Sequence, residues 1–142
     1  MDITIYLPDE IGKWAKENDL GLSRMLREAV EDEKRRRDAR AAVTSEGFGR
    51  VEVWDDTRDR KVAFEGREIG REDFGTDGDV TAYLTPKDAI AVYSDIGPGR
   101  LDVYDEFAAF AEDVQENWRG GRDLLAQVAD ALGEEYVEEL DI

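Results

Sequence analysis

The chain contains no cysteine and no histidine. Without cysteine there is no disulfide, no thiolate nucleophile and no thiolate-held metal. Without histidine the commonest general base and metal ligand is missing as well. A catalytic triad or a thiol mechanism therefore lacks its parts. Lysine is scarce, and there is neither a long apolar run of membrane-crossing length nor a signal-peptide pattern. A cytoplasmic, soluble chain with no membrane partner is the expectation. Gly97-Pro98-Gly99 and Gly120-Gly121 are turn punctuation without phosphate-loop spacing. Asp77-Gly78-Asp79 and Asp55-Asp56 with Asp59 do not fit a calcium-loop pattern. The reading is a non-enzyme, with no catalytic residue, no metal and no cofactor.

Acid is what the chain has in excess. Asp and Glu number 36 against 19 Lys and Arg, for a net charge of −17 and a pI near 4.3. So many carboxylates occur that no single pair marks a glycosidase-type site. The charge is uneven. Residues 1–43 hold nine basic and ten acidic side chains, a net of −1, which leaves −16 of the −17 for residues 44–142. The composition, rich in Asp, Glu, Ala and Gly, resembles that of haloarchaeal-like proteins, whose acidic surface serves solubility in concentrated salt. At about 1 M salt the Debye length is roughly 3 Å, so repulsion between an acidic protein and a polyanion is largely screened.

At the N-terminus Ile3, Ile5 and Leu7 alternate with Asp2, Thr4 and Tyr6, the pattern of a strand with one apolar face. Pro8 suits a first helical turn, and a helix is expected from Pro8 to Asn18. Ser23 then reads as the N-cap of a second helix from Arg24 towards Arg37, continued by alternating acids and bases to Ala42. One short strand and two helices leave backbone groups unpaired, and the simplest partner is the same strand from a second copy.

This stretch resembles the ribbon-helix-helix DNA-binding domains. The resemblance rests on the alternating strand, the Pro8-Asp9 start, Ile11, Trp14 and Ala15 on one helix face, the Gly21-x-Ser23 turn, and Leu22, Met25, Leu26, Ala29 and Val30 on the next helix. It implies a homodimer whose paired ribbon enters the major groove of double-stranded DNA. Asp2, Thr4 and Tyr6 would then read bases. Ser23 and Arg24 would hold a phosphate at the second helix's start, with Lys13 and Lys16 either near the backbone or on a solvated face. Ile3, Ile5, Leu7, Trp14, Leu26 and Val30 would form the dimer core. The basic run Lys34 to Arg37 with Arg40 reads as intrahelical pairing, or alternatively as a patch for flanking phosphates or a second dimer.

Val43 to Gly49 reads as a linker, assigned to 44–49. Beyond it, Val51 and Val53, then Val62 and Phe64, flank a polar turn and predict a hairpin over Arg50–Gly66. Arg67–Asp79 reads as a glycine-rich loop, followed by strands at Val80–Thr85, Ala89–Ser94 and Arg100–Tyr104. Phe107, Phe110, Ala111 and Val114 predict a helix from Asp105 to about Asn117, and Leu124, Leu125, Val128 and Leu132 predict another over Asp123–Leu132. The expected fold class is thus α+β: a dimeric ribbon-helix-helix module at 1–43, then at 50–142 a small antiparallel sheet covered by C-terminal helices. The ending Glu138-x-Leu140-Asp141-Ile142 is similar to that of the EXLDI protein family. It either docks on the fold or serves as a tag for a partner.

Function follows as an expectation: a sequence-specific DNA-binding transcriptional regulator acting as a homodimer or higher oligomer. An unidentified protein or effector would meet residues 50–142. The alternatives are an antitoxin-like interaction protein and a module that only dimerises.

Overall fold

The computed structural model describes residues 6–18 and 21–137. The chain divides into two compact units, Met1–Lys34 and Arg35–Ile142. None of the described helices is long and apolar enough to cross a membrane.

The described N-terminal unit is helical from its first element. Helix α1 spans Asp9–Glu17, and its amides begin pairing at once, Gly12 N–H donating to the Pro8 carbonyl at 2.9 Å. Asp9 and Glu10 at its start and Lys16 at its end suit the helix dipole. Helix α2 spans Leu22–Ser45 and carries the chain into the second unit. Its first turn is closed by Met25 N–H on the Gly21 carbonyl, so Ser23 lies inside the helix and does not cap it.

This order overturns the ribbon-helix-helix expectation. The described chain opens with two helices, and Tyr6 and Leu7 belong to no strand. Asp2, Ile3, Thr4 and Ile5 lie outside the described residues. The physical reason is that alternation gives a strand only where a neighbour supplies the ladder. The sheet described pairs β1 to β5 with one another and takes in neither Tyr6 nor Leu7.

The second unit is a five-stranded antiparallel sheet in the order β1-β2-β3-β4-β5, curled into a half-barrel. The strands are β1 Gly49–Asp55, β2 Arg60–Asp73, β3 Asp79–Leu84, β4 Ile90–Ser94 and β5 Arg100–Tyr104. The first hairpin forms as the alternation suggests, Val53 opposite Val62 and Val51 opposite Phe64. The expected loop at 67–79 is largely strand instead. β2 runs on to Asp73, shifted in register between Glu68 and Gly70. Gly70 is there for close packing: a Cβ would lie 3.1 Å from Leu124 and 3.2 Å from Gln127. Glycine content marked this stretch as loop, but here glycine brings a helix down onto a strand.

Helix α3 spans Phe107–Asn117 and α4 spans Arg122–Ala131. Both cover one face of the sheet. Val80, Ala82 and Leu84 of β3 and Ile90 and Val92 of β4 meet Phe107, Phe110 and Val114 of α3 and Leu124, Leu125 and Val128 of α4, all buried. At about 25 cal/mol per Å² of apolar surface, this interface is the main source of stability. The α+β sheet covered by C-terminal helices therefore stands, whereas the N-terminal module of the expected fold class does not.

β1 also approaches β5. Asp56 N–H donates to the Gly99 carbonyl at 3.0 Å, and Arg58 donates to the Asp55 carboxylate and, at 3.4 Å, to the Leu101 carbonyl. Asp55 has no exposed surface. Burial alone would raise its carboxyl, but hydrogen bonds from Arg58 and from the Thr57 and Leu101 amides hold it below the usual carboxylate range. Gly99, at φ 93°, sits so close that a Cβ would lie 2.8 Å from the Trp54 carbonyl oxygen.

Candidate functional site

The base-reading set is not assembled among the described residues. Tyr6 is 89% exposed and belongs to no strand, while Asp2 and Thr4 lie outside the described residues. Lys13 and Lys16 lie on α1, Lys13 facing Glu17 at 4.0 Å. Ser23 and Arg24 lie exposed in the first turn of α2, and Arg24 donates to Glu28 at 3.1 Å. Of the expected dimer core, Ile3 and Ile5 lie outside the described residues; Leu7, Trp14 and Val30 are exposed and Leu26 is half-buried.

The basic run on α2 has long-range partners that spacing could not show. Arg40 pairs with Asp88 at 2.5 Å and Glu134 at 3.5 Å. Arg35 donates to the Gly133 carbonyl at 3.0 Å and faces Glu135 at 3.5 Å. These cations pair with the acidic surface of their own unit.

A cleft with polar and apolar walls lies at one end of the sheet, beside α3, with a volume of about 510 Å³. Phe74 and the following turn supply one wall, with Asp77 at its edge. Ser94, Ile96, Arg100 and Asp102 come from the β4–β5 end, and Asp113, Asn117, Trp118 and Arg119 from the end of α3. Helical spacing turns Phe107, Phe110 and Val114 inward, and the same turn of helix aims Asp113 at β5. There its carboxylate accepts from Tyr104 Oη at 2.5 Å, Asn117 Nδ2 at 2.7 Å and Trp118 Nε1 at 3.3 Å.

The electrostatics follow from those bonds. The Tyr104 hydroxyl, foremost among them, and Asn117 hold the Asp113 carboxyl below its usual range, against burial. Burial and the Asp113 hydrogen bond push the Tyr104 phenol well above its ordinary value. Behind them Phe110 is the hub of an edge-on ring cluster, with centroids 5.4 Å from Tyr104, 6.5 Å from Phe107 and 6.2 Å from Trp118. Such contacts add about 0.5–1.5 kcal/mol per pair beyond burial. Beside the cleft, Glu72 of β2 fixes the start of α4. Its carboxylate accepts from Gly121 N–H at 3.1 Å and Leu124 N–H at 2.9 Å, capping α4, whose own N-cap offers no side chain.

Sequence reasoning did not single out Glu72, Tyr104, Asp113 or Trp118. One signal was available: Asp113 and Asn117, four residues apart, share one side of α3 just before Trp118. A second cleft, also of about 510 Å³, lies on the open face between Phe64, Ala91, Leu101 and Val103, near Pro86. It is almost wholly apolar.

No family model, no curated protein and no solved structure matches the chain.

Proposed function

We propose that this chain is a non-enzymatic, self-associating regulator. Its N-terminal helical unit joins two copies, and its Arg35–Ile142 unit holds an effector. The carrying observation is the set of large apolar side chains that the N-terminal unit leaves in water. Ile11 (53%), Trp14 (58%), Met25 (51%) and Val30 (53%) are more than half exposed, and Ala15 is the buried residue of α1. A unit ending at Lys34 is below the size, about 40 residues, at which a chain usually folds without help from a metal, a disulfide or a partner. Cysteine is absent, and a second copy is always at hand. The near-neutral charge of residues 1–43 lets two copies meet there without the repulsion that the acidic remainder would impose.

A second reading, in which the paired copies bind double-stranded DNA, is favoured by the start of α2. Ser23 and Arg24 stand exposed where helix amides have no internal acceptor, a geometry that suits phosphate.

Light scattering on the eluting protein tests the pairing. The wild type should have twice the 16.1 kDa chain mass, and Trp14→Glu should have the single mass with the circular dichroism of its sheet retained. A wild type of single mass, or a Trp14→Glu variant still paired, sinks the reading. Mobility shift on a genomic DNA library in molar salt tests the second reading; no shift, or one unchanged by Ser23→Ala with Arg24→Ala, removes it.

A further inference from the structure

We propose that the cleft beside α3 binds an apolar or aromatic α-amino acid, its carboxylate at Arg119 and its ammonium at Asp77. The inference rests on the reading of the Arg35–Ile142 unit as the ligand-holding half.

The charges lining the cleft sort themselves. Asp113 is taken up by three donors, and Arg100 and Asp102 hold each other at 3.0 Å. Two charges of opposite sign remain, Asp77 and Arg119, and neither has an ion-pair partner among the described residues. They reach the cleft from different loops, and both loops flank one ring. Gly120, next to Arg119, comes so near Phe74 that a Cβ would lie 3.1 Å from the ring, and Asp77 lies in the turn that follows Phe74. A cation and an anion lining one cleft together with an aromatic surface match a ligand carrying both signs beside an apolar group. A simple anion would be opposed by Asp77 and a simple cation by Arg119. The volume, about 510 Å³, is within the roughly 300–1,000 Å³ of small-molecule sites. Trp118, pinned by Asp113, and Ile96 supply the rest of the apolar contact. The Asp113 hydrogen bonds already hold the wall formed by Asn117 and Trp118, which lowers the ordering cost of binding.

The test is calorimetric titration of the full chain, in about 1 M KCl, with L-phenylalanine, with 3-phenylpropionate, which lacks the ammonium, and with phenethylamine, which lacks the carboxylate. L-phenylalanine should bind saturably, one per chain, and each truncated analogue should bind at least roughly 10-fold more weakly, the worth of about one charged contact. Arg119→Gln and Asp77→Asn, both surface changes, should each weaken L-phenylalanine roughly 10-fold with melting unchanged. The proposal is overturned if neither L-phenylalanine nor L-leucine binds, if either analogue binds as well as the amino acid, or if both variants bind like the wild type. Mass measured on the same samples separates the two readings. Paired protein that binds no amino acid overturns the site alone, and unpaired protein that binds overturns the pairing alone.

Discussion

Replacing Tyr104 by Phe probes the hinge of the whole second unit, because it deletes one oxygen and leaves the ring against Phe110. The lost interaction is a 2.5 Å hydrogen bond to a carboxylate that also holds Asn117 and Trp118. Hydrogen bonds to charged groups contribute about 1.5–3 kcal/mol, so Tyr104→Phe should lower stability by about that amount. In a unit of this size the melting temperature should fall by roughly 4 °C per kcal/mol. Urea unfolding in molar salt measures it, and a double-mutant cycle with Asp113→Asn isolates the pair. The pH dependence has two limbs. Asp113 is depressed in the fold, so its contribution is present above the unfolded carboxyl value of about 3.9 and fades as pH falls through the lower folded one. Tyr104 is raised, so its contribution is complete below about pH 10 and fades above it. Burial also raises Tyr83 and Tyr93, so wild-type stability should carry a steeper alkaline decline than Tyr104→Phe. Equal stability of the two proteins, or the same alkaline limb in both, refutes the argument.

Glu72→Ala should cost about 1–2 kcal/mol through loss of the α4 cap, and amide exchange at Gly121 and Leu124 should accelerate before that of the sheet; unchanged exchange there would count against it. Gly99→Ala should destabilise by at least about 1 kcal/mol, since its φ of 93° and the nearby Trp54 carbonyl leave no room for a Cβ; a neutral result in urea would mean that the β1–β5 approach is looser than described. With a net charge of −17, the protein should lose helix signal and melt earlier in about 10 mM KCl than in 1 M, where the Debye length drops from about 30 Å to 3 Å. Identical circular dichroism and melting in both would dismiss the halophilic reading.

The periodic parts of the fold were legible. The alternation of Val51 and Val53 against Val62 and Phe64 gave a hairpin in the right place, and the 3.6-residue stripes of α3 and α4 gave both covering helices. What failed was the N-terminal strand: the described chain opens with two helices. Ile3 and Ile5 lie outside the described residues, and Leu7, the last of the alternating apolar residues, lies outside any sheet, since alternation alone does not create a ladder. Gly70 read as loop because local composition cannot show a helix approaching from more than 50 residues later. The cleft was illegible for the same reason. Glu72 meets Leu124 across 52 positions, and Arg40 meets Asp88 across 48, so neither contact leaves a trace in spacing. The acidic composition hid Asp113 among many carboxylates that do no such work.

The pairing of two N-terminal units is tested most directly by amide hydrogen exchange at several protein concentrations. Protection of α1 and of the first turns of α2 should rise with concentration and vanish on dilution, while protection of the β3 and β4 amides stays constant. Protection of α1 that is the same at every concentration, or absent at the highest, contradicts it.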